Sequence, residues 1–210
     1  MKVSKTKFIV LAFCIAAAIY ASWTVGVQYD CQPLPIDLSV QEAFFKLRGG
    51  ISDVAAVFIT HLGDTKTIVL LCLALLIIPK TRGKYGVPTT IAALMGLVIY
   101  KPMKHIFLRA RPDVALHMVE QGGYSFPSGQ SVSALIVYGL LAYLIRRHCK
   151  NPILKNVLSV ICGLLSIIIG LSRIYVGVHW PTDVFTGFAI GGAVLMFVTI
   201  ILDRLLTEDK

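Results

Sequence analysis

Charge is scarce in this sequence. Only 15% of its 210 residues are Asp, Glu, Lys or Arg, against about 25% in ordinary soluble proteins. Acids are the rarer sign, 11 against 20 Lys and Arg. No cluster of carboxylates suits magnesium, and the five cysteines (Cys14, Cys31, Cys72, Cys149 and Cys162) show no CxxC or other metal-ligand spacing. Four of the five fall in or beside apolar runs, where Cys serves as a small hydrophobe. Only Cys31 lies in an exposed connection, which argues against a disulfide framework. Internal repeats, low-complexity tracts and a soluble domain are also missing. The net charge of +9 comes without the aromatic-interleaved basic patch of a nucleic-acid binder, so no nucleic-acid partner is expected.

Apolar residues fill the space that charge leaves. They make up 56% of the chain, and the mean hydropathy is +0.77, which points to a polytopic membrane protein. The run from Phe8 to Val27 follows Lys2, Lys5 and Lys7 like a secretory signal. It is long enough to span a bilayer and no small-residue cleavage site closes it, so it reads as a retained first helix. The fold class expected is all-α, one domain over 1–210, with six spans near 8–28, 64–79, 86–108, 129–146, 153–171 and 181–202. Between the first two, about 30–60, an amphipathic stretch at 38–48 lies along the interface. It leads into a short helix at 51–60 that ends at His61-Leu62-Gly63.

Basic residues set the sidedness. With the N-terminus inside, the inner segments carry Lys2, Lys5, Lys7, Lys80, Arg82, Lys84, Arg146, Arg147, Lys150, Lys155, Arg204 and Lys210, twelve of the 20. Three acids (Asp203, Glu208 and Asp209) fall on that side and eight on the other, so both termini are expected inside. Lys104, Arg109, Arg111 and Arg173 sit at outer helix ends, where orientation gives no reason for them.

Three stretches converge on that outer side. In Lys104 to Pro112 (KHIFLRARP), Lys104 and Arg111 are about two helical turns apart on one face, with fraying expected at Arg111 before Pro112. Two such cations suit a phosphate, although snorkelling toward headgroups would also place them there. In Phe126 to Ser131 (FPSGQS), Ser128 is placed to cap a helix whose free N–H groups, open beside Gly129, favour an anion; a plain cap is the alternative. In Ser172 to Asp183 (SRIYVGVHWPTD), Pro181 opens the last helix, and Asp183 follows His179 by four residues. A carboxylate on one imidazole nitrogen leaves the other free as a nucleophile, with Arg173 as a further anion fork. A structural histidine is the competing reading.

Together these stretches resemble the type 2 phosphatidic acid phosphatase family of membrane lipid phosphatases, whose active-site pattern is shared with vanadium haloperoxidases. Lys104 to Arg111-Pro112 matches Lys-x6-Arg-Pro, and Ser172-Arg173, His179 and Asp183 match Ser-Arg-x5-His-x3-Asp. Pro127-Ser128-Gly129 matches Pro-Ser-Gly-His, except that Gln130 stands where the family has His. The resemblance implies a haloperoxidase-like helical core and no metal or other cofactor. It implies that Lys104, Arg111, Ser128, Gly129 and Arg173 hold phosphate oxygens, and that His179, oriented by Asp183, forms a phosphohistidine. Small size, the lack of a soluble domain and the outward-facing site point to a bacterial inner-membrane enzyme of lipid-carrier recycling or phospholipid synthesis. The substrates, in order of expectation, are undecaprenyl diphosphate, phosphatidylglycerol phosphate and phosphatidic acid.

Gln130 changes the chemistry. Its amide can donate a hydrogen bond but cannot release a proton at neutral pH, so binding should survive while turnover falls. The intact neighbouring motifs favour an introduced His-to-Gln change over erosion; a natural binding member of the family is the alternative. Rescue by His105 or His117 is a third. The outer placement is testable, on this reading, with an impermeant thiol reagent and a cysteine at Ser125: labelling only from the cytoplasmic side would refute it.

Overall fold

The computed structural model describes residues 4–208. Lys2, Asp209 and Lys210, which were counted in the charge bias, lie outside the described residues. Helix α1 (Lys5–Trp23) starts on Ser4, whose hydroxyl accepts from the Thr6 amide, and continues through a π-helical turn at Thr24–Gln28. It is followed by α2 (Pro35–Phe45), α3 (Ile51–His61), α4 (Thr65–Ile77) and the single turn α5 (Pro79–Thr81). A second π-helical turn, Arg82–Gly86, leads into α6 (Val87–Phe107). After the connection at 108–128 come α7 (Gly129–His148), α8 (Pro152–Tyr175) and α9 (Pro181–Glu208). The protein is all-helical among the described residues, as its apolar periodicity predicts.

Five helical segments (α1, α5 to α6, α7, α8 and α9) are long and apolar enough to cross a membrane, and α3 with α4, bent by 53°, makes a sixth at most. The second span differs from expectation. Helix α4 has 13 residues and is therefore about 20 Å long, short of the ~30 Å hydrocarbon core. Pro79 stops it, because Ile78 before a proline turns extended (ψ 115°). Helix α3 joins it only across that 53° bend. Asp53 near its start accepts from the Tyr175 hydroxyl at 2.7 Å, and Thr60 near its end holds Arg173, so both ends are tied to the last turn of α8. It packs against α8.

The centre of the bundle is α7, packed on α6, α8 and α9. Its residues alternate between two apolar faces. Val132, Ile136, Leu140 and Leu144 meet Ile190, Val194 and Val198 of α9 and Ala92 of α6. Ala134, Val137, Tyr138 and Leu141 meet Ile68 and Cys72 of α4 and Ile169 of α8. An all-round apolar helix of this kind belongs in a core. By contrast, 56% of the apolar window of α7 is buried and only 6% of that of α1, so α1 is a peripheral helix leaning on α9.

The bundle is held at both ends. At one, Lys7 of α1 and Arg147 of α7 grip Asp203 of α9 at 2.7 and 2.8 Å, with the Tyr143 hydroxyl donating at 2.5 Å. At the other, the Ser128 amide donates to the Asp183 carbonyl at 3.0 Å, joining the starts of α7 and α9. Gly187 permits that approach: a Cβ there would sit 2.8 Å from the Ser128 carbonyl oxygen and 2.9 Å from Ser131 Cβ. Backbone cannot yield as a flexible side chain can. Gly187→Ala should therefore cost about 1–3 kcal/mol by overpacking and lower the midpoint of thermal unfolding in detergent. An unchanged midpoint would mean that the two helix starts are not held this closely.

Candidate active site

Four helix ends build the site. Helix α7 starts where Ser128 caps it, its Oγ accepting from the Ser131 amide at 3.4 Å and the Ser131 hydroxyl at 2.7 Å. Gly129 is required there by a neighbour: a Cβ would lie 2.6 Å from Cε2 of Tyr100. Beyond the ligand approach expected from sequence, the tyrosine ring is a further reason for that glycine. Helix α8 runs to Tyr175, past its expected end, which puts Arg173 in its last turn. Gly177 then turns the chain with φ +79°, where a Cβ would run into the Leu116 carbonyl. His179 follows, and α9 begins at Pro181 with Asp183 in its first turn, as the spacing predicts.

Lys104 and Arg111 meet by a route other than the expected one. Helix α6 stops at Phe107, and Leu108 adopts the left-handed conformation (φ 51°), so Arg111 is not on the helix that carries Lys104. The chain doubles back instead. Lys104 Nζ donates to the carbonyls of Tyr124 and Ser125 at 2.8 and 3.1 Å. Arg111 donates to the carbonyls of Gly122, Gly123 and Tyr124 at 2.9–3.1 Å and to that of Val178 at 2.6 Å. Backbone carbonyls, rather than helix periodicity, hold the two cations together. Burial lowers Arg111 to about 10, with Asp183 opposing, which leaves it cationic at neutral pH.

A cavity of about 120 Å³ opens between these ends. Lys104, Arg111, Gly129, Gln130 and His179 line it, together with Gly63, Thr65, Tyr100, Gln121 and Ser133. His179 is only 3% exposed. Its Nδ1 lies 3.2 Å from Asp183 Oδ2, and its Nε2 lies 3.1 Å from an Arg111 nitrogen. The carboxylate selects the tautomer with hydrogen on Nδ1, so the Nε2 lone pair faces Arg111 and the cavity. Burial pushes the imidazole well below its usual 6.5; the Asp183 bond opposes this, and the charges of Arg111 and Lys104 add to it.

Three expected residues stand behind the cavity wall. Ser128 turns its hydroxyl to Ser131, and Asp183 lies behind His179. Arg173, 1% exposed, donates to Thr60 and, at 2.5 Å, to Gln121, so it reaches the cavity through that side chain. Its Nε is buried with no partner among the described residues. Gln130 lines the cavity, but its amide nitrogen donates to Asp64 at 2.6 Å, and Asp64 in turn pairs with His61 at 2.7 Å. Neither His105 nor His117 borders the cavity. The former packs edge-on against Tyr124, and the latter lies 3.1 Å from the Pro112 carbonyl beside a separate cleft.

Two further residues belong to the site. Ser125 is fully buried and donates its hydroxyl to Asp183 Oδ2, so a cysteine there is sealed from reagents and cannot report sidedness as the sequence reading supposed. Arg109 is fully buried too and donates to Asp183 Oδ1 at 2.6 Å. Its one sequence signal was a cation that orientation did not require. Beside the polar cavity runs an apolar groove of about 170 Å³ between α4 and α6, lined by Ile68, Cys72, Leu76, Ala93 and Leu97. It shares Thr65, Tyr100 and Ser133 with the cavity. Half-exposed Val69, Leu73 and Leu94 mark its outer mouth.

Known proteins are similar to this chain in sequence and fold. The chain is 34% identical over 143 residues to phosphatidylglycerophosphatase B of Bacillus subtilis, covering 63% of this chain and 66% of that protein. It is 29% identical over 123 residues to an undecaprenyl-diphosphatase of Sulfolobus acidocaldarius, covering 56% and 55%. These matches thus span just under two thirds and just over half of the two relatives. The crystal structure of a transmembrane PAP2-type phosphatidylglycerolphosphate phosphatase from Bacillus subtilis superposes with a TM-score of 0.73 at 28% identity, covering 94% of this chain and 96% of that one. The crystal structure of Aquifex aeolicus LpxE gives 0.64 at 25% identity, covering 79% and 96%. The PAP2 superfamily profile matches residues 85–206, more than half of the sequence and all of the cavity's cations and its histidine, and this multi-pass membrane protein belongs to that superfamily.

Proposed function

We propose that this protein is a membrane lipid phosphatase that removes a terminal phosphate from a polyprenyl diphosphate or a phospholipid phosphate, without a metal, and that Gln130 impairs it. The observation that carries this reading is the junction of two unlike cavities. Lys104, Arg111 and His179 line a polar one that fits a phosphate, and it shares Thr65, Tyr100 and Ser133 with an apolar groove suited to a lipid chain. The relatives named phosphatidylglycerophosphatase and undecaprenyl-diphosphatase support the substrate class. Undecaprenyl diphosphate ranks first, then phosphatidylglycerol phosphate and phosphatidic acid.

In the proposed reaction, Lys104, Arg111 and the α7 terminus at Ser128 and Gly129 take the phosphate oxygens, with Arg173 supporting through Gln121. Arg111 leaves Nε2 of His179 for the incoming phosphate. The Nε2 lone pair attacks phosphorus, the bond to the leaving oxygen breaks, and a phosphohistidine forms while Nδ1–H stays on Asp183. Water then attacks phosphorus and releases phosphate, returning neutral His179. The leaving oxygen needs a proton in the first step, and the amide at Gln130 cannot supply it. A lipid monophosphate leaving from a diphosphate needs that proton less than an alkoxide does. One observation favours binding without turnover as a second reading: the Gln130 amide donates to Asp64 rather than standing free in the cavity.

Gln130→His should raise phosphate release by about 10²–10⁴-fold, more on a monoester than on a diphosphate; equal inactivity of both forms on both lipids would leave the binding reading. The attacking imidazole must be neutral, and His179 sits well below its usual 6.5. Activity should thus persist as pH falls through 6.5 and be lost only as pH drops through the lower folded value. An acid limb of kcat at or above 6.5 that the substrate's own phosphate ionisation does not account for would contradict that role. An outward-facing site with both termini inside, in a bacterial cytoplasmic membrane, predicts that an impermeant thiol reagent labels Glu120→Cys from outside and Lys150→Cys only after permeabilisation, each above the parent chain. The reverse pattern would invert the orientation.

A further inference from the structure

Asp183 is held by more than its histidine. Its Oδ1 accepts from Arg109 at 2.6 Å, and its Oδ2 accepts from the Trp180 amide at 2.9 Å, from Ser125 and from His179. Arg109 spends its whole fork in this region: Nε on the Cys31 carbonyl at 3.2 Å, Nη1 on Thr182 at 2.8 Å and on Asp183, and Nη2 on the Gln32 carbonyl at 3.1 Å and on Asp37 at 2.6 Å. Asp37 is also fully buried. Its Oδ1 accepts from the Thr182 amide at 2.8 Å, and its Oδ2 accepts from the Leu34 amide and the Thr182 hydroxyl at 3.0 Å. One cation thus lies between two carboxylates, at the point where the connection between α1 and α2 meets the start of α9.

Stability alone does not account for such a cluster. Well-packed apolar side chains of similar volume commonly stabilise as much as a buried ion triad or more. Its geometry does one particular thing: it immobilises one oxygen of Asp183 and turns the other to His179. We infer that Arg109 and Asp37 are positioning residues that aim Asp183, and through it the nucleophilic nitrogen of His179, at the phosphate cavity. This deepens the phosphatase reading and rests on it for its catalytic consequence. Neither residue borders the cavity, so phosphate binding by Lys104 and Arg111 should not depend on them.

The double substitution Arg109→Met with Asp37→Asn tests this. It removes one positive and one negative charge, so the cluster keeps its net charge and the fold is not left with an unpaired buried carboxylate at position 37. The charged groups facing His179 are then Asp183 of α9, Arg111 of the 108–128 connection and Lys104 of α6, and only Asp183 has lost a partner. Imidazole ¹⁵N spectra, with the His179 signals assigned from His179→Gln, read the outcome without needing turnover. The parent should show the single Nδ1–H tautomer. The double variant should show mixed tautomers and a midpoint raised by about one unit, because the anion beside the ring is no longer shared with a cation.

In the Gln130→His background, kcat should fall by up to about 100-fold from misplacement of the nucleophile, with KM and inhibition by inorganic phosphate within about twofold. Arg109→Lys, which keeps the charge and loses the fork, should lower kcat with little change in the midpoint, and serves alone if the double variant does not fold. A folded double variant with parental His179 signals and parental kcat would overturn the inference, as would a folded Arg109→Lys with parental kcat and tautomer. Signals that move as expected in a protein that releases no phosphate in either background would support the positioning role and refute the phosphatase reading instead.

Discussion

A carboxylate with no water around it organises one end of this bundle. Asp183 is fully buried, and its two oxygens collect donors from Ser125 and Arg109 of the 108–128 connection and from Trp180 and His179 just before α9. A buried carboxylate is costly unless such donors are present and well aimed, so the segments that supply them are constrained together. Through Arg109 the constraint reaches Asp37 and the end of the first connection. Through the Asp183 carbonyl it reaches the start of α7. The placement of His179 follows from this set of bonds.

The cavity in front of that carboxylate has an uneven electrical character. Lys104, Arg111 and Arg173 are all drawn inward, and the groups facing the first two from the protein are chiefly backbone carbonyls and an imidazole. Carbonyl dipoles orient a cation without cancelling its charge, so the site keeps a positive field toward the cavity. In the proposed reaction a phosphate would complete it. The Arg111 contact to Nε2 of His179 is then a resting arrangement, in which the cation occupies the lone pair that a phosphorus atom would later meet.

Position 130 is the exception to this convergence. Its side chain borders the cavity and yet bonds sideways, to Asp64, which also pairs with the half-exposed His61. A glutamine satisfies that geometry with a neutral amide. The fold therefore accommodates Gln130 without visible disruption: the cap of α7, the close approach at Gly187 and the dyad of His179 and Asp183 all stand beside it. What an amide lacks is chemical, a dissociable proton, and packing does not depend on one.

Periodicity and composition alone determined the helical membrane class, the positions of α1, α6, α7, α8 and α9, the Ser128 cap and the Pro181 start, because each depends on apolar spacing or on local backbone chemistry. The sequence also contained the pairing of His179 with Asp183, whose separation of four residues brings them together at a helix start. Other features were decided only by tertiary structure. Lys104 and Arg111 meet because Leu108 turns the chain and carbonyls of 122–125 catch both cations, which helical spacing did not foretell. Helix α3 is held against α8 through contacts with Tyr175 and Arg173, far along the chain. Ser125, ordinary in sequence, and Arg109, marked there only as a cation that orientation does not require, became partners of Asp183 because long-range packing removed the water that would otherwise have solvated them. Local rules set where helices begin and which faces are apolar; which polar groups lose their water, and so must find one another, is settled only when the helices pack.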